Sequence, residues 1–144
     1  MALASFDAGI AFTRAYIGYV HAIAHNMGGL YGVAHGLANA IILPYVLDYS
    51  FENIVDKLAD LAKVSSVGEE NDDNKTLARK FIDKIKTMNG NMNIPKTIKE
   101  LKEDDLPLII KRVFEEAHPS YPVPKIMSYN ECETLMEKLL TNKI

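Results

Sequence analysis

No Asp, Glu, Lys or Arg occurs between Arg14 and Asp48. A charge-free run of that length has few places to go. A membrane span needs about 20 predominantly apolar residues, and this run is long enough. It also carries His21, His25, Asn26, His35 and Asn39, with Gly28, Gly29, Gly32 and Gly36 among them. A lipid-facing helix tolerates such residues poorly. The expectation is therefore no membrane span. Residues 15–47 should be surrounded on nearly all sides by other protein, which few segments of so small a chain can be.

Composition narrows the setting. A length of 144 residues suits one domain, and 48% apolar content supplies a core. The net charge of −3 argues against nucleic acid as a partner. Cys132 stands alone, so no internal disulfide forms and a reducing, cytoplasmic location is expected. The start MALASFDAGIAF lacks the basic segment of a signal peptide.

Helical periodicity accounts for almost the whole chain. Residues 3–25 read as one helix whose large apolar side chains spread round the wheel, indicating burial on several faces. It has no capping residue before it, as if entered partway along. Asn26-Met27-Gly28-Gly29 reads as its stop signal, with the glycines making a turn that extends to Ala34. Residues 35–48 read as a second buried helix, with Pro44 as its kink or end.

Ser50 is positioned to cap a third helix reaching Lys63. After a polar loop at 65–74, residues 75–88 form an amphipathic helix. Thr97 and Glu100 suggest a capping box for a short helix, and Asp104, Asp105 and Pro107 open another that reaches Ala117. HPSYPVPK should be extended, because its prolines forbid a helix. Ser128-Tyr129-Asn130-Glu131 is a capping box for the last helix, which ends near Leu140. With no strand pattern, repeat or linker, the fold class is all-α, a bundle of about six to seven helices.

Three of the four histidines lie in the charge-free run. His21 and His25 are four residues apart and share a helix face. His35 would lie roughly 21 Å along a continuous helix from His21, but a reversal between them would bring it back. Imidazoles converging in an apolar pocket suit a divalent metal, because a neutral ligand avoids burying a free charge. Spacing alone leaves a metal site and hydrogen-bonded core histidines both open. Asp7 and Asp48 are too far along the chain to complete a ligand set, so two histidines would make only half a centre.

The segment GYVHAIAHNMGGLYGVAHGLANAIILPYVL, Gly18 to Leu47, resembles the signature of the iron-containing (group III) alcohol dehydrogenases. That signature is G-x-x-H-x-x-x-H, a glycine-containing turn, then H-G-x-x-N-A and an apolar run to proline. ASFDAGIAFTRAY resembles the helix leading into it. The tail YPVPKIMSYNECETLMEKLL resembles the end of butanol-dehydrogenase-like members. One departure is Ala34, where many members have proline. Another is that the family's amino-terminal dinucleotide-binding domain, with its glycine-rich phosphate loop and an upstream Asp and His ligand, has no counterpart here.

The resemblance implies that residues 1–144 are the C-terminal metal-binding helical domain of a longer enzyme. It assigns His21 and His35 as metal ligands, and His25 as the catalytic histidine beside the nicotinamide of NAD or NADP. Gly28 and Gly29 would make the turn, and Asn39 would fix packing or support a ligand. Phe12 and Tyr31 are candidates to line the pocket, with core packing as the plainer reading. The implied reaction moves a hydride between a small alcohol or aldehyde and NAD(P), with Fe2+, or Zn2+ in its place, as the Lewis acid.

Read without the resemblance, the chain would be a stand-alone helical metal-binding or interaction domain with no catalysis of its own. His118 receives no role, and Lys125 is placed on a solvated face. An uncovered apolar patch at Tyr16, Tyr19, Val20 and Ile23 is expected to draw copies into a homo-oligomer.

Overall fold

A computed structural model describes residues 1–141. Six α-helices follow in chain order: α1 (Ala2–Ala15), α2 (Tyr19–Tyr31), α3 (His35–Val64), α4 (Asn74–Asn91), α5 (Leu106–Ala117) and α6 (Tyr129–Glu137). A 3-10 turn at Glu103–Asp105 leads into α5. Among the described residues there is no strand, only an isolated parallel bridge between Ile98 and Leu140. The all-α class read from the sequence is the class observed. No helix among the described residues is long and apolar enough to cross a membrane.

The first helix differs from the expectation at both ends. Residues 3–25 are not one helix, because the chain breaks at Tyr16–Gly18. Tyr16 has φ 61 and ψ −174, a region that side-chain-bearing residues seldom enter, and Gly18 is extended. The stop at Asn26–Gly29 does not operate either. Both glycines lie inside α2, which continues to Tyr31. A helical glycine costs only about 1 kcal/mol, and the burial of Asn26 and Met27 outweighs it. The turn falls instead at Gly32, whose φ of 69 is left-handed. The N–H of Gly32 donates to the Gly28 carbonyl at 3.0 Å, and that of Val33 to the Met27 carbonyl at 3.3 Å.

Pro44 neither ends nor divides α3, which runs 30 residues through it. A proline has no N–H to donate, so the carbonyl four residues earlier loses its helical partner. That carbonyl belongs to Ala40, and Asn89 of α4 supplies the missing donor through Nδ2 at 2.7 Å. Ser50 therefore caps nothing and is buried within the same helix. The true side-chain cap nearby is Asp73, which accepts from the Thr76 N–H at 2.7 Å and opens α4.

Thr97 and Glu100 open no helix, because Ile98 is held extended. Its N–H donates to the Leu139 carbonyl at 2.8 Å. The capping box of α6 forms as expected: Ser128 Oγ accepts from the Glu131 N–H, and Glu131 Oε2 accepts from the Ser128 N–H at 2.9 Å. Residues 118–125 are free of helix but folded into turns rather than fully extended.

The main core joins α2, the first half of α3, α5 and α6, with Ile23, Met27, Ile42, Ile110 and Met136 fully buried. Two smaller apolar clusters join the second half of α3 to α4 around Phe51 and Ile82 and around Ala62 and Leu77. Helix α1 stands apart and has no buried residue. The expected burial of residues 3–15 is thus overturned, and so is half of the expected patch. Tyr19 and Ile23 are core, whereas Leu3, Phe6, Ile10, Phe12 and Tyr16 are exposed.

Candidate metal centre

His21 lies in the first turn of α2, His25 one turn later, and His35 at the first position of α3. The left-handed residue at Gly32 reverses the chain and returns His35 to the other two. Ring centroids are 5.4 Å apart for His21 and His35, 6.0 Å for His21 and His25, and 5.3 Å for His25 and His35. The last pair is nearly parallel, at 16°. The convergence expected from the spacing is present, and the reversal falls within the expected 26–34 stretch, at Gly32 rather than at Gly28 and Gly29.

His21 is partly buried. Burial, followed by the neighbouring imidazoles of His35 and His25, holds its pKa below the ordinary histidine value. A neutral ring keeps a lone pair, which a metal ligand requires. His35 meets Asn39, whose Nδ2 donates to the His35 carbonyl at 2.9 Å and lies 3.0 Å from His35 Nε2. The second amide N–H therefore faces Nε2, which carries the lone pair. The opposite atom of that amide, Asn39 Oδ1, is buried without a hydrogen-bond partner.

This donor set suits a borderline divalent ion in type, with two imidazoles and an amide whose oxygen is not yet engaged. In number it is short. Among the described residues no group of three or more His, Cys, Asp or Glu is disposed to hold a metal. Asp48, which the sequence placed too far along, is engaged elsewhere by Arg79 at 2.6 Å and Lys86 at 2.8 Å.

His25 is held from another side. Its Nδ1 lies 2.7 Å from Oε1 of Glu116, in the last turn of α5. Tyr121 donates its phenolic O–H to the same oxygen at 2.8 Å. Sequence reasoning did not find Glu116 or Tyr121. The available hint was a carboxylate at the negative end of a helix, where the backbone dipole opposes it.

His118 is not idle. Tyr19 Oη lies 2.6 Å from its Nε2 and accepts the Met127 N–H at 2.9 Å, which ties 118–127 to the start of α2. Tyr31 donates to Asp105 Oδ2 at 2.7 Å; burial and that bond push its phenol up to about 12. Tyr31 is thus part of the scaffold. Phe12 is exposed rather than core and lines a cavity of about 470 Å³ that His21 and Asn39 also border. Lys125 does not lie on a simple solvated face. It pairs with Glu131 at 2.7 Å and sits 4.1 Å from the Tyr49 ring centroid.

Fold and site together define an all-helical domain with a histidine cluster at a helix reversal. The chain belongs to the iron-containing alcohol dehydrogenases, matching the Fe-containing alcohol dehydrogenase family, C-terminal, over residues 1–140. It is 38% identical over 122 residues to the 1,3-propanediol dehydrogenase of Citrobacter freundii, across 82% of this chain and 31% of that protein. The NADPH-dependent butanol dehydrogenase of Clostridium saccharobutylicum is 38% identical over 94 residues, covering 65% of this chain and 24% of the relative. The crystal structure of a 1,3-propanediol oxidoreductase superposes with a TM-score of 0.82 at 30% identity. That match covers 92% of this chain and 35% of the other. The chain spans about a third of the length of these relatives or less.

Proposed function

We propose that residues 1–144 form the helical, metal-binding part of a cytoplasmic alcohol dehydrogenase that moves a hydride between a small alcohol or aldehyde and NAD(P). The observation that carries this reading is the gathering of His21, His25 and His35 at one helix reversal, with His21 held neutral. His21 and His35 would hold a divalent iron, with zinc as the alternative occupant. Their partner would be a dinucleotide-binding domain, which would supply the remaining ligands and the phosphate loop.

When bound, the metal supplies Lewis acidity toward the alcohol or carbonyl oxygen. The chain's own residues do the rest. His21 and His35 bring ligand atoms without adding charge to an apolar wall. Asn39 braces His35 through the His35 carbonyl, and its contact with Nε2 would have to be released for that nitrogen to serve as a ligand. His25 lies in the same cluster but is tied to Glu116, so we assign it proton handling at the reacting oxygen, beside the nicotinamide. His25 and His35 are exposed in this chain, so the domain that completes the enzyme would have to cover them before water is excluded.

The test is a hybrid enzyme in which these residues replace the matching third of the Citrobacter freundii relative. His21→Ala and His35→Ala should each lose bound metal, read by elemental analysis, and lose turnover with it. His25→Ala should retain metal while kcat falls by about a hundredfold or more. Full metal occupancy in both of the first two variants would remove them from the ligand set. The isolated chain should bind metal weakly and reduce no NAD(P), since two ligands fall short of the usual three or four.

A further inference from the structure

The contact between His25 and Glu116 has more structure than an ion pair on a surface. Glu116 Oε1 receives two groups, His25 Nδ1 at 2.7 Å and the Tyr121 hydroxyl at 2.8 Å. An ionised carboxylate only accepts hydrogen bonds. The Tyr121 phenol is pushed up to about 12 by burial and then by the Glu116 bond, so it remains a donor. Both groups that meet Oε1 must therefore present hydrogen. For a neutral imidazole, this places the proton on Nδ1 and the lone pair on Nε2. The ring is also flanked by its two neighbours. His35 lies parallel to it at 5.3 Å, and His21 lies edge-on at 6.0 Å.

Glu116 occupies an unfavourable place for its own helix. It sits in the last turn of α5, with no basic residue in that turn, where the helix dipole repels a carboxylate. Its side chain is 29% exposed and that of His25 is 43% exposed, so the pair is reachable from outside. Surface pairs of this exposure contribute little to stability. Its value thus lies in orientation.

We propose that Glu116, aimed by Tyr121, is a positioning residue that fixes the tautomer and ring orientation of His25, so that Nε2 is the atom presented for proton transfer. The functional consequence rests on the assignment of His25 made above.

Histidine labelled with ¹⁵N in the ring reads the tautomer directly, from two-bond proton–nitrogen spectra of the full chain. The spectra are taken about two units above the ordinary imidazole pKa of about 6.5. The wild type should show His25 protonated on Nδ1. Glu116→Gln keeps the side-chain volume, but its amide can donate as well as accept. It should release the tautomer, so that the Nε2–H form becomes a substantial fraction. Tyr121→Phe leaves the carboxylate in place and should shift the ratio less; it also serves if Glu116→Gln fails to fold. In the hybrid enzyme Glu116→Gln should lower kcat about tenfold or more, with metal content and KM for the alcohol unchanged. A wild-type His25 protonated on Nε2, or a ratio unmoved by both substitutions, would overturn the proposal. If the tautomer moves while kcat of both Glu116→Gln and His25→Ala stays at the wild-type level, the assignment of His25 fails and the positioning contact stands.

Discussion

Helices α1 and α2 follow one another and are built from similar material, yet only one of them is inside the protein. α1 is ALASFDAGIAFTRA, with no buried residue. α2 is YVHAIAHNMGGLY, with Tyr19, Ala22, Ile23, Ala24, Asn26 and Met27 buried. Phe6 is 64% exposed and Ile23 is 0% exposed. Both are apolar, and both sit on helices that periodicity would bury. What separates them is a second surface. α2 lies against α3 and α5, whereas α1 buries none of its residues and meets the body only near its end, where Phe12 and Ala15 border a cavity shared with α3. Apolar composition thus says that a segment can be buried, and topology decides whether it is.

Cutting equivalent side chains from both helices should give the largest difference between them. Ile23→Ala leaves a cavity in the main core and should cost about 2–5 kcal/mol in urea unfolding. Ile10→Ala, on α1, should change stability by less than about 0.5 kcal/mol. Equal losses would mean that α1 packs on the body in solution.

A smaller effect tests the support behind α2. Asn89→Ala leaves the Ala40 carbonyl without a donor and should cost about 1–3 kcal/mol. Replacing Pro44 by Ala restores the helical N–H, so the Asn89→Ala loss should shrink in a Pro44→Ala background. A loss of the same size in both backgrounds would show that Asn89 acts through something other than that carbonyl.

The least perturbing measurement is brief digestion with trypsin. Arg14 lies on α1 beside the Tyr16–Gly18 break and should be cut first, leaving the remainder of the chain folded. Earlier cutting at Arg79, which packs 3.9 Å over the Phe51 ring and pairs with Asp48, would reverse the expected order.

Much of this was readable in the sequence where the signal was local. The capping box at Ser128 and Glu131 formed as written, because its partners are three residues apart. The α5 start at Pro107 and the convergence of His35 on His21 follow from rules of similar range. What sequence reading missed depended on distant partners. Pro44 is accommodated because Asn89 faces it from another helix. Gly28 and Gly29 stay helical because their helix buries Asn26 and Met27 in the core it shares with α3 and α5. The break at Tyr16 has no glycine of its own to announce it; the nearest is Gly18. Glu116 is ninety-one residues from His25, and no spacing rule links them.

The uninterrupted run of α3 past Pro44 also bears on how the protein melts. At about 1.5 Å per residue its 30 residues reach about 45 Å. Its first half is built into the main core, and its second half into both clusters shared with α4. Three apolar clusters would ordinarily be free to loosen separately. Here they share one rod, and the proline where that rod would give way is bridged by Asn89. Loss of order at the α4 end is carried along the same helix toward Pro44 and the turn that holds His35. The thermal consequence is cooperativity: the apolar clusters along α3 should give way together in one transition, with the histidine cluster losing its shape in that same step.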